Sequence, residues 1–295
     1  MPIIDFHLHA AQAEHYHPWV VEWMQTFVED DFLEHIDDLL TPEGVQQVLR
    51  ESGVDYGVVL AEISPITTGV TTNEHVAEFC RGVDCLIPFA NINPFMVARP
   101  AQELERCVRE LGCRGLKLLP TYQLFYPNDN KLYPVYARAE ELGIPVMFHT
   151  GSSLFRGSRL KYGDPLYLDD VAVDFPDLVI IQAHSGRGFW YDRAAFLARL
   201  HPNVYMEVAG LPPHKLLDYF PELERLTDKV IFGTDWPGVP SIGANIEAIR
   251  ALPLSEEATA KILGGNAARI LGIGGGESNE ALGQRGTGAT RQLVQ

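Results

Sequence analysis

No Lys or Arg occurs in the first 49 residues. The earliest basic side chain is Arg50, by which point ten Asp and Glu have passed. Across all 295 residues the formal net charge is −16. A surface so rich in carboxylates argues against nucleic acid and anionic membrane as partners. Long apolar runs are missing too: no window approaches the roughly 18 apolar residues that span a bilayer. The first apolar run begins at residue 2 or 3, which leaves no space for a leader peptide, so the expected location is the cytoplasm. Cysteine is scarce. Cys80, Cys85, Cys107 and Cys113 form no C-x-x-C pair, and buried free thiols are expected rather than disulfides or a zinc knot.

What is present is a rhythm. Eight short apolar or β-branched runs recur: IIDFHL, YGVVLAEI, LIPFANIN, RGLKLLP, IPVMFHT, LVIIQAHS, VYMEVAG and VIFGTDW. Between them lie segments with helical spacing of apolar residues, clearest in AQELERCVRELG, LYPVYARAEELG, YDRAAFLARL and HKLLDYFPELERL. Gly112 and Gly143 mark helix stops. Strands alternating with helices predict an α/β fold on a parallel sheet, and near-continuous apolar strands fit burial on both faces. Eight such units in a chain long enough for about 250 residues of barrel predict a (β/α)8 TIM barrel. An open doubly wound sheet is the alternative, but it gives no reason for polar residues to end so many strands. Residues 1–272 are expected to form this single domain. Residues 10–40 are a long acidic and aromatic insertion after the first strand, either a lid or an extra helix pair packed on the barrel. The segment EEATAKILGGNAARILG predicts an extra C-terminal helix packed back on the barrel. Residues 273–295, rich in Gly, Ser, Thr and Gln, are expected to be a disordered tail.

In a barrel of this kind the chemistry sits at the C-terminal ends of the strands. Those ends carry His7 and His9 on the first strand, Lys117 on the fourth, His149 on the fifth, His184 on the sixth and Asp235 on the eighth. Residues two apart on a strand face the same way, so both His7 and His9 can point inward. A lone His in an apolar strand is commonly a satisfied core residue, and Asp235 before Trp236-Pro237 could merely cap a turn. Taken together, six such groups at buried strand ends would each need a separate partner, whereas one metal centre serves them all. Asp5 lies two residues before His7, as a partner for a ligand His or as a barrel-interior carboxylate. The other six His fall in the insertion (His15, His17, His35) or beside helices (His75, His201, His214), where solvated or capping roles suffice.

The loop GSSLFRGSRLKYGDP places Arg156, Arg159 and Lys161 at the catalytic end, and Arg187 follows the sixth strand at the same end. In an acidic chain these predict a small anionic substrate, a carboxylate held by Arg156, Arg159 or Arg187, with a solvated loop as the plainer alternative. Trp19, with Trp23, Tyr122, Phe125 and Trp190, could add an aromatic wall for a cyclic or aromatic substrate.

The set D-F-H-L-H at 5–9, G-L-K-L-L-P at 115–120, F-H-T-G at 148–151, A-H-S-G at 183–186 and F-G-T-D-W-P at 232–237 resembles the amidohydrolase superfamily. Within it the likeness is to the amidohydrolase 2 branch of metal-dependent TIM-barrel hydrolases and decarboxylases, over residues 1 to about 272. The resemblance implies that His7, His9, His149 and Asp235 bind a divalent metal. It implies that His184 binds a second metal or serves as an acid/base beside the first. It allows Lys117 to be a carbamate bridging two metals, as in some members. Zinc is the expected ion, with Mn, Co or Fe suited to the same ligands, and one ion is expected with two allowed. Hydrolysis of an amide, lactone or similar sp2 carbon by metal-activated water is the expected reaction, with Asp235 and His184 as catalytic groups. Non-oxidative decarboxylation of an aromatic or unsaturated carboxylate is the alternative. Many decarboxylase relatives carry a Glu shortly after the His-x-Gly of the sixth strand, and Arg187 stands near that place here. The expected assembly is a homodimer.

Overall fold

The computed structural model describes residues 1–26, 36, 39–239 and 241–274. Eight parallel strands form one sheet: β1 (Ile4–Leu8), β2 (Tyr56–Leu60), β5 (Leu86–Asn91), β6 (Leu116–Leu118), β7 (Val146–Gly151), β8 (Ile180–Arg187), β9 (Val204–Glu207) and β10 (Val230–Ile231). A short antiparallel pair, β3 (Glu62–Ser64) and β4 (Gly69–Thr71), rises from the end of β2. The sheet closes on itself beyond the short β10. Phe6 N–H donates to Phe232 O, Asp235 N–H to His7 O and His9 N–H to Trp236 O. The chain is therefore a TIM barrel, as the eightfold rhythm predicts.

Helices fill most intervals and follow local rules. Thr41 accepts from Gly44 N–H to start Pro42–Glu51, with Pro at the first helical position. Tyr133–Leu142 ends at Gly143, whose φ of 65° suits a residue without Cβ. The expected helix over HKLLDYFPELERL is broken. It forms Leu216–Tyr219 and then a 3₁₀ turn from Leu223, because Pro221 has no N–H to continue the ladder. The C-terminal segment packs on the barrel as Glu256–Ala260, a π turn at Lys261–Gly265 and Asn266–Leu271. It closes the base of the barrel, where Gly264 lets the backbone meet Pro2.

Two apolar layers result. The inner one packs Phe6, Val58, Ile87, Phe89, Met147 and Ile181, and the outer one packs Leu8, Val59, Leu118 and Phe148 under the helices. Each fully buried Phe or Ile is worth roughly 1.5–3 kcal/mol. β1 breaks the simple alternation. Between Asp5 and Leu8 its register against β2 shifts, so that Asp5 pairs with Gly57 but Leu8 with Val59. The extra residue resets the phase of the strand. Ile4 and Phe6 face the inner layer before it, and Leu8 faces the outer layer after it. His7 and His9 consequently meet the mouth of the barrel while Asp5 does not share their face.

The start of the insertion is fixed on the β3–β4 hairpin. His17 N–H donates to Thr68 O, and Trp19 Nε1 donates to Thr67 O. Gly69, at φ 136°, lies where a Cβ would meet His15 O at 2.0 Å. The helix Pro18–Met24 follows. The rest of the expected lid, residues 27–35 and 37–38, lies outside the described residues, as does the expected disordered tail from 275 onward. Among the described residues no helix is long and apolar enough to cross a membrane.

Candidate active site and metal centre

The strand ends bring the six singled-out side chains to one cavity of about 350 Å³, which His7, His9, Lys117, His149, His184 and Asp235 all line. At its base, Asp235 Oδ1 lies 3.4 Å from His7 Nε2 and 3.1 Å from His9 Nε2. One ligand atom from each of these three residues lies within 4.8 Å of the others, a spacing that a divalent ion fits. His149 stands beside His184, with ring centroids 4.7 Å apart, and its buried Nε2 has no hydrogen-bond partner. A buried imidazole nitrogen left unpaired is costly and calls for a ligand. These donors, nitrogen and carboxylate oxygen without thiolate, fit a divalent metal.

Electrostatics agree with ligation. Burial, reinforced by Lys117 near His7 and by Arg187 near His149 and His184, holds all three imidazoles well below the ordinary His value. They are neutral at pH 7, the form that offers a lone pair to a metal. Burial pushes Asp235 up, but His7, His9 and His184 outweigh it and keep the carboxyl ionised. Lys117 is buried to 1% exposure and its Nζ has no hydrogen-bond partner. Desolvation lowers its pKa, opposed by Glu207, Asp235 and Glu62.

Glu207 was not singled out by its sequence context, although it ends β9 as the other polar residues end their strands. It is fully buried and lies under the site. Oε2 accepts from His184 N–H at 3.1 Å and lies 3.4 Å from His7 Nδ1, while Oε1 accepts from Ala209 N–H at 2.8 Å. Its position requires Gly233, where a Cβ would meet Oε1 at 2.1 Å. The hydrogen bond to Glu207 helps to hold His184 and Ser185 at φ of 62° and 45°, in the left-handed region that costs a non-glycine residue about 1–3 kcal/mol. Ser185 Oγ donates to Glu207 O and Gly186 N–H to Thr150 Oγ1, completing the clamp. His184 Nδ1 faces Ala209 O at 2.8 Å, which assigns the proton to Nδ1 and leaves a lone pair on Nε2. Glu62, also missed, lines the cavity and accepts from Thr68 Oγ1. Asp5 is a buried carboxyl that accepts from His7 N–H at 3.1 Å, from Thr234 N–H at 3.0 Å and from Thr234 Oγ1 at 2.6 Å, so it holds the backbone of His7 rather than its ring.

The expected anion clamp is only partly assembled. Arg187 lines the cavity, donates to Ser152 O and sits 4.0 Å from Asp235 Oδ2. Arg156 and Arg159 are exposed and do not line it. Arg156 lies over the Trp19 ring at 5.9 Å, and Trp19 is turned onto the β3–β4 hairpin rather than into the cavity. The loop after β7 lines the cavity through Ser152, Ser153, Leu154 and Phe155 and leaves it before Arg156. Of the expected aromatic wall, Trp23 and Tyr122 line the cavity, joined by Tyr16 and Phe155; Phe125 is buried elsewhere and Trp190 does not line the cavity.

The sequence model of the family described as amidohydrolase (Amidohydro_2) matches residues 4–273. The chain belongs to the amidohydrolase family. This amidohydrolase is 26% identical over 264 residues to a 2-amino-3-carboxymuconate-6-semialdehyde decarboxylase of Dictyostelium discoideum, covering 77% of the chain and 72% of that relative. Among solved structures, an uncharacterised TIM-barrel protein of Bordetella bronchiseptica superposes with a TM-score of 0.76 at 27% identity, over 92% of the chain and 99% of its own. A dihydroxybenzoic acid decarboxylase of Polaromonas sp. JS666, with bound manganese and 2-nitroresorcinol, shares the fold with a TM-score of 0.69 at 20% identity, over 92% and 97%.

These relatives correct one expectation. Hydrolysis was read as the reaction of this amidohydrolase, yet the curated relatives matched and several solved neighbours are named as decarboxylases. The sequence reading counted against decarboxylation the lack of a Glu after His184-Ser185-Gly186. In the structure Glu207, on the neighbouring strand, accepts from the backbone N–H of His184.

Proposed function

We propose that the chain is a divalent-metal-dependent decarboxylase of a small aromatic or unsaturated carboxylate. The observation that carries this reading is the base of the cavity, where His7, His9 and Asp235 converge beside Arg187 and the unpaired His149. His7, His9, His149 and Asp235 would hold one ion, with manganese or zinc suited to the donors. The manganese in the Polaromonas relative supports this reading. When bound, the ion supplies Lewis acidity, drawing electron density from the oxygens of the acid.

The chain's own groups supply the rest. Arg187 takes the substrate carboxylate by charge-assisted hydrogen bonds. Decarboxylation replaces a C–CO2⁻ bond with C–H. The carbon gains one proton, the C–C bonding pair returns to the substrate, and CO2 leaves. Asp235 is ionised and His184 Nε2 unprotonated in the resting site, so one proton is taken up from solvent per turnover; Asp235 Oδ2, on the Arg187 side and away from the His7 and His9 nitrogens, is placed to receive it and pass it to the carbon. His184 Nε2 can exchange it with Asp235, because Ala209 O keeps the other ring nitrogen occupied. The apolar walls exclude water from the reacting carbon.

The test is to supply metal-loaded protein with hydroxybenzoates and unsaturated carboxylates and follow CO2 alongside loss of the acid. The expected outcome is one CO2 per acid consumed. Consumption without CO2, or no consumption across the panel, would overturn the reading.

Glu207→Gln gives a second expectation. Gln offers one acceptor oxygen where Glu207 uses two, so an NH2 must face the His184 or Ala209 N–H. Metal affinity or kcat should fall about 10–100-fold, as for other groups that orient metal ligands. Chelator competition and steady-state rates read the two effects separately, and unchanged values for both would remove Glu207 from this role.

A further inference from the structure

Resting on the decarboxylase reading for where the substrate lies, we infer that Lys117 is an anion receptor deep in the cavity, and that the substrate carries a second carboxylate for it, apart from the one that Arg187 takes. Lys117 lines the cavity and is buried. Among the described residues its Nζ has neither a hydrogen bond nor an ion pair. A buried ammonium in that state is among the costliest groups a fold can keep. The surrounding chain nevertheless fixes it in place. Asn91 Nδ2 donates to Lys117 O at 2.7 Å, Gln123 Nε2 donates to Asn91 Oδ1 at 2.8 Å, and Gln123 Oε1 accepts from Leu119 N–H at 3.1 Å. Asn73 in turn holds the Asn91 backbone through both its N–H and its O. These three amides are buried, and they brace the backbone at and after Lys117 while leaving its ammonium uncapped.

Arg187, the other cation lining the cavity, already has partners. It is part-exposed, donates to Ser152 O and stands 4.0 Å from Asp235 Oδ2. The two cations also sit at different heights. Lys117 is level with Met147 on β7, whereas Arg187 is level with Gly151, four residues further along that strand. Four residues of strand rise roughly 13 Å, and β7 itself lies between β6 and β8. A ligand that meets both cations therefore carries its carboxylates at separated positions, not on neighbouring atoms. The unbranched stem of Lys117 lets the ammonium advance to an anion, and its single charge matches one carboxylate. Folding has already stripped water from this group, so an arriving carboxylate meets a preorganised partner.

The test is calorimetric binding, to manganese-loaded protein, of benzoate and of benzene-1,2-, 1,3- and 1,4-dicarboxylate. The 1,3- or the 1,4-isomer should bind about tenfold or more tightly than benzoate, the scale of one charged hydrogen bond, and the 1,2-isomer should gain less. Lys117→Met, of similar length and uncharged, should erase that preference. In ligand-free protein the same variant should raise Tm, because it removes a buried unpaired charge. No preference in the native protein, a gain confined to the 1,2-isomer, no binding by any probe, a preference kept in Lys117→Met, or a lower Tm for the variant would overturn the inference. So would a second bound ion that needs added bicarbonate and disappears in Lys117→Met, the mark of a carbamate on Nζ. CO2 followed in the same samples separates the two readings. A preference erased in Lys117→Met without CO2 upholds the receptor and counts against decarboxylation, whereas CO2 from benzoate bound as tightly as its dicarboxylates does the reverse.

Discussion

Asp235→Asn is expected to lower kcat for decarboxylation by about a thousandfold, the scale of a lost acid/base group. The substitution keeps the shape of the side chain but removes its charge. In the native site Oδ1 faces both His7 Nε2 and His9 Nε2, and Oδ2 faces Arg187. An amide cannot accept on both sides, and its NH2 cannot take up and release the proton that the substrate carbon needs. Metal content measured on the same preparation distinguishes the two losses. A variant that retains its ion yet is nearly inactive assigns the effect to proton transfer, and one that loses the ion assigns it to ligation. A kcat within tenfold of the native value would take Asp235 out of the chemistry.

The double substitution His7→Ala with His9→Ala should reduce bound metal from about one ion per chain to almost none, and with it the activity. It should also abolish stabilisation by added ion. For the native chain a ligand present at a thousand times its Kd adds about 4 kcal/mol to folding stability, which reads as a rise in Tm when metal is restored to stripped protein. The double variant should show no such rise. Stoichiometric metal retained by the variant would place the ion elsewhere.

The barrel and the membership of this cavity were legible because each signal is local. An apolar run ending in His or Asp reports its own strand, and the parallel sheet delivers every strand end to one rim. What escaped needs partners from distant strands. Glu207 sits in VYMEVAG, a run noticed for its apolar residues, and nothing nearby announces that His184 N–H and His7 Nδ1 will converge on its carboxylate. The phase of β1 escaped too, since a register shift depends on how the neighbouring strand pairs. Strict alternation put Asp5 on the face of His7, whereas the structure has it hold the His7 backbone N–H together with Thr234. The loop arginines misled for a simpler reason. Being after a strand end limits where a side chain starts, not which way a fifteen-residue loop carries it.

The join between β1 and the chain around Thr234 has a consequence for synthesis. Asp5 and Thr234 are 229 residues apart, yet each completes the other's hydrogen bonds. At a translation rate of roughly 5–20 residues per second, β1 leaves the ribosome on the order of ten seconds or more before its last neighbour. Throughout that interval one edge of an apolar strand stands open, and His7 and His9 have no Asp235 opposite them. Half-made chains are therefore both sticky and unable to complete the four-residue set proposed for the ion, so capture of an ion there would report that translation has passed residue 235.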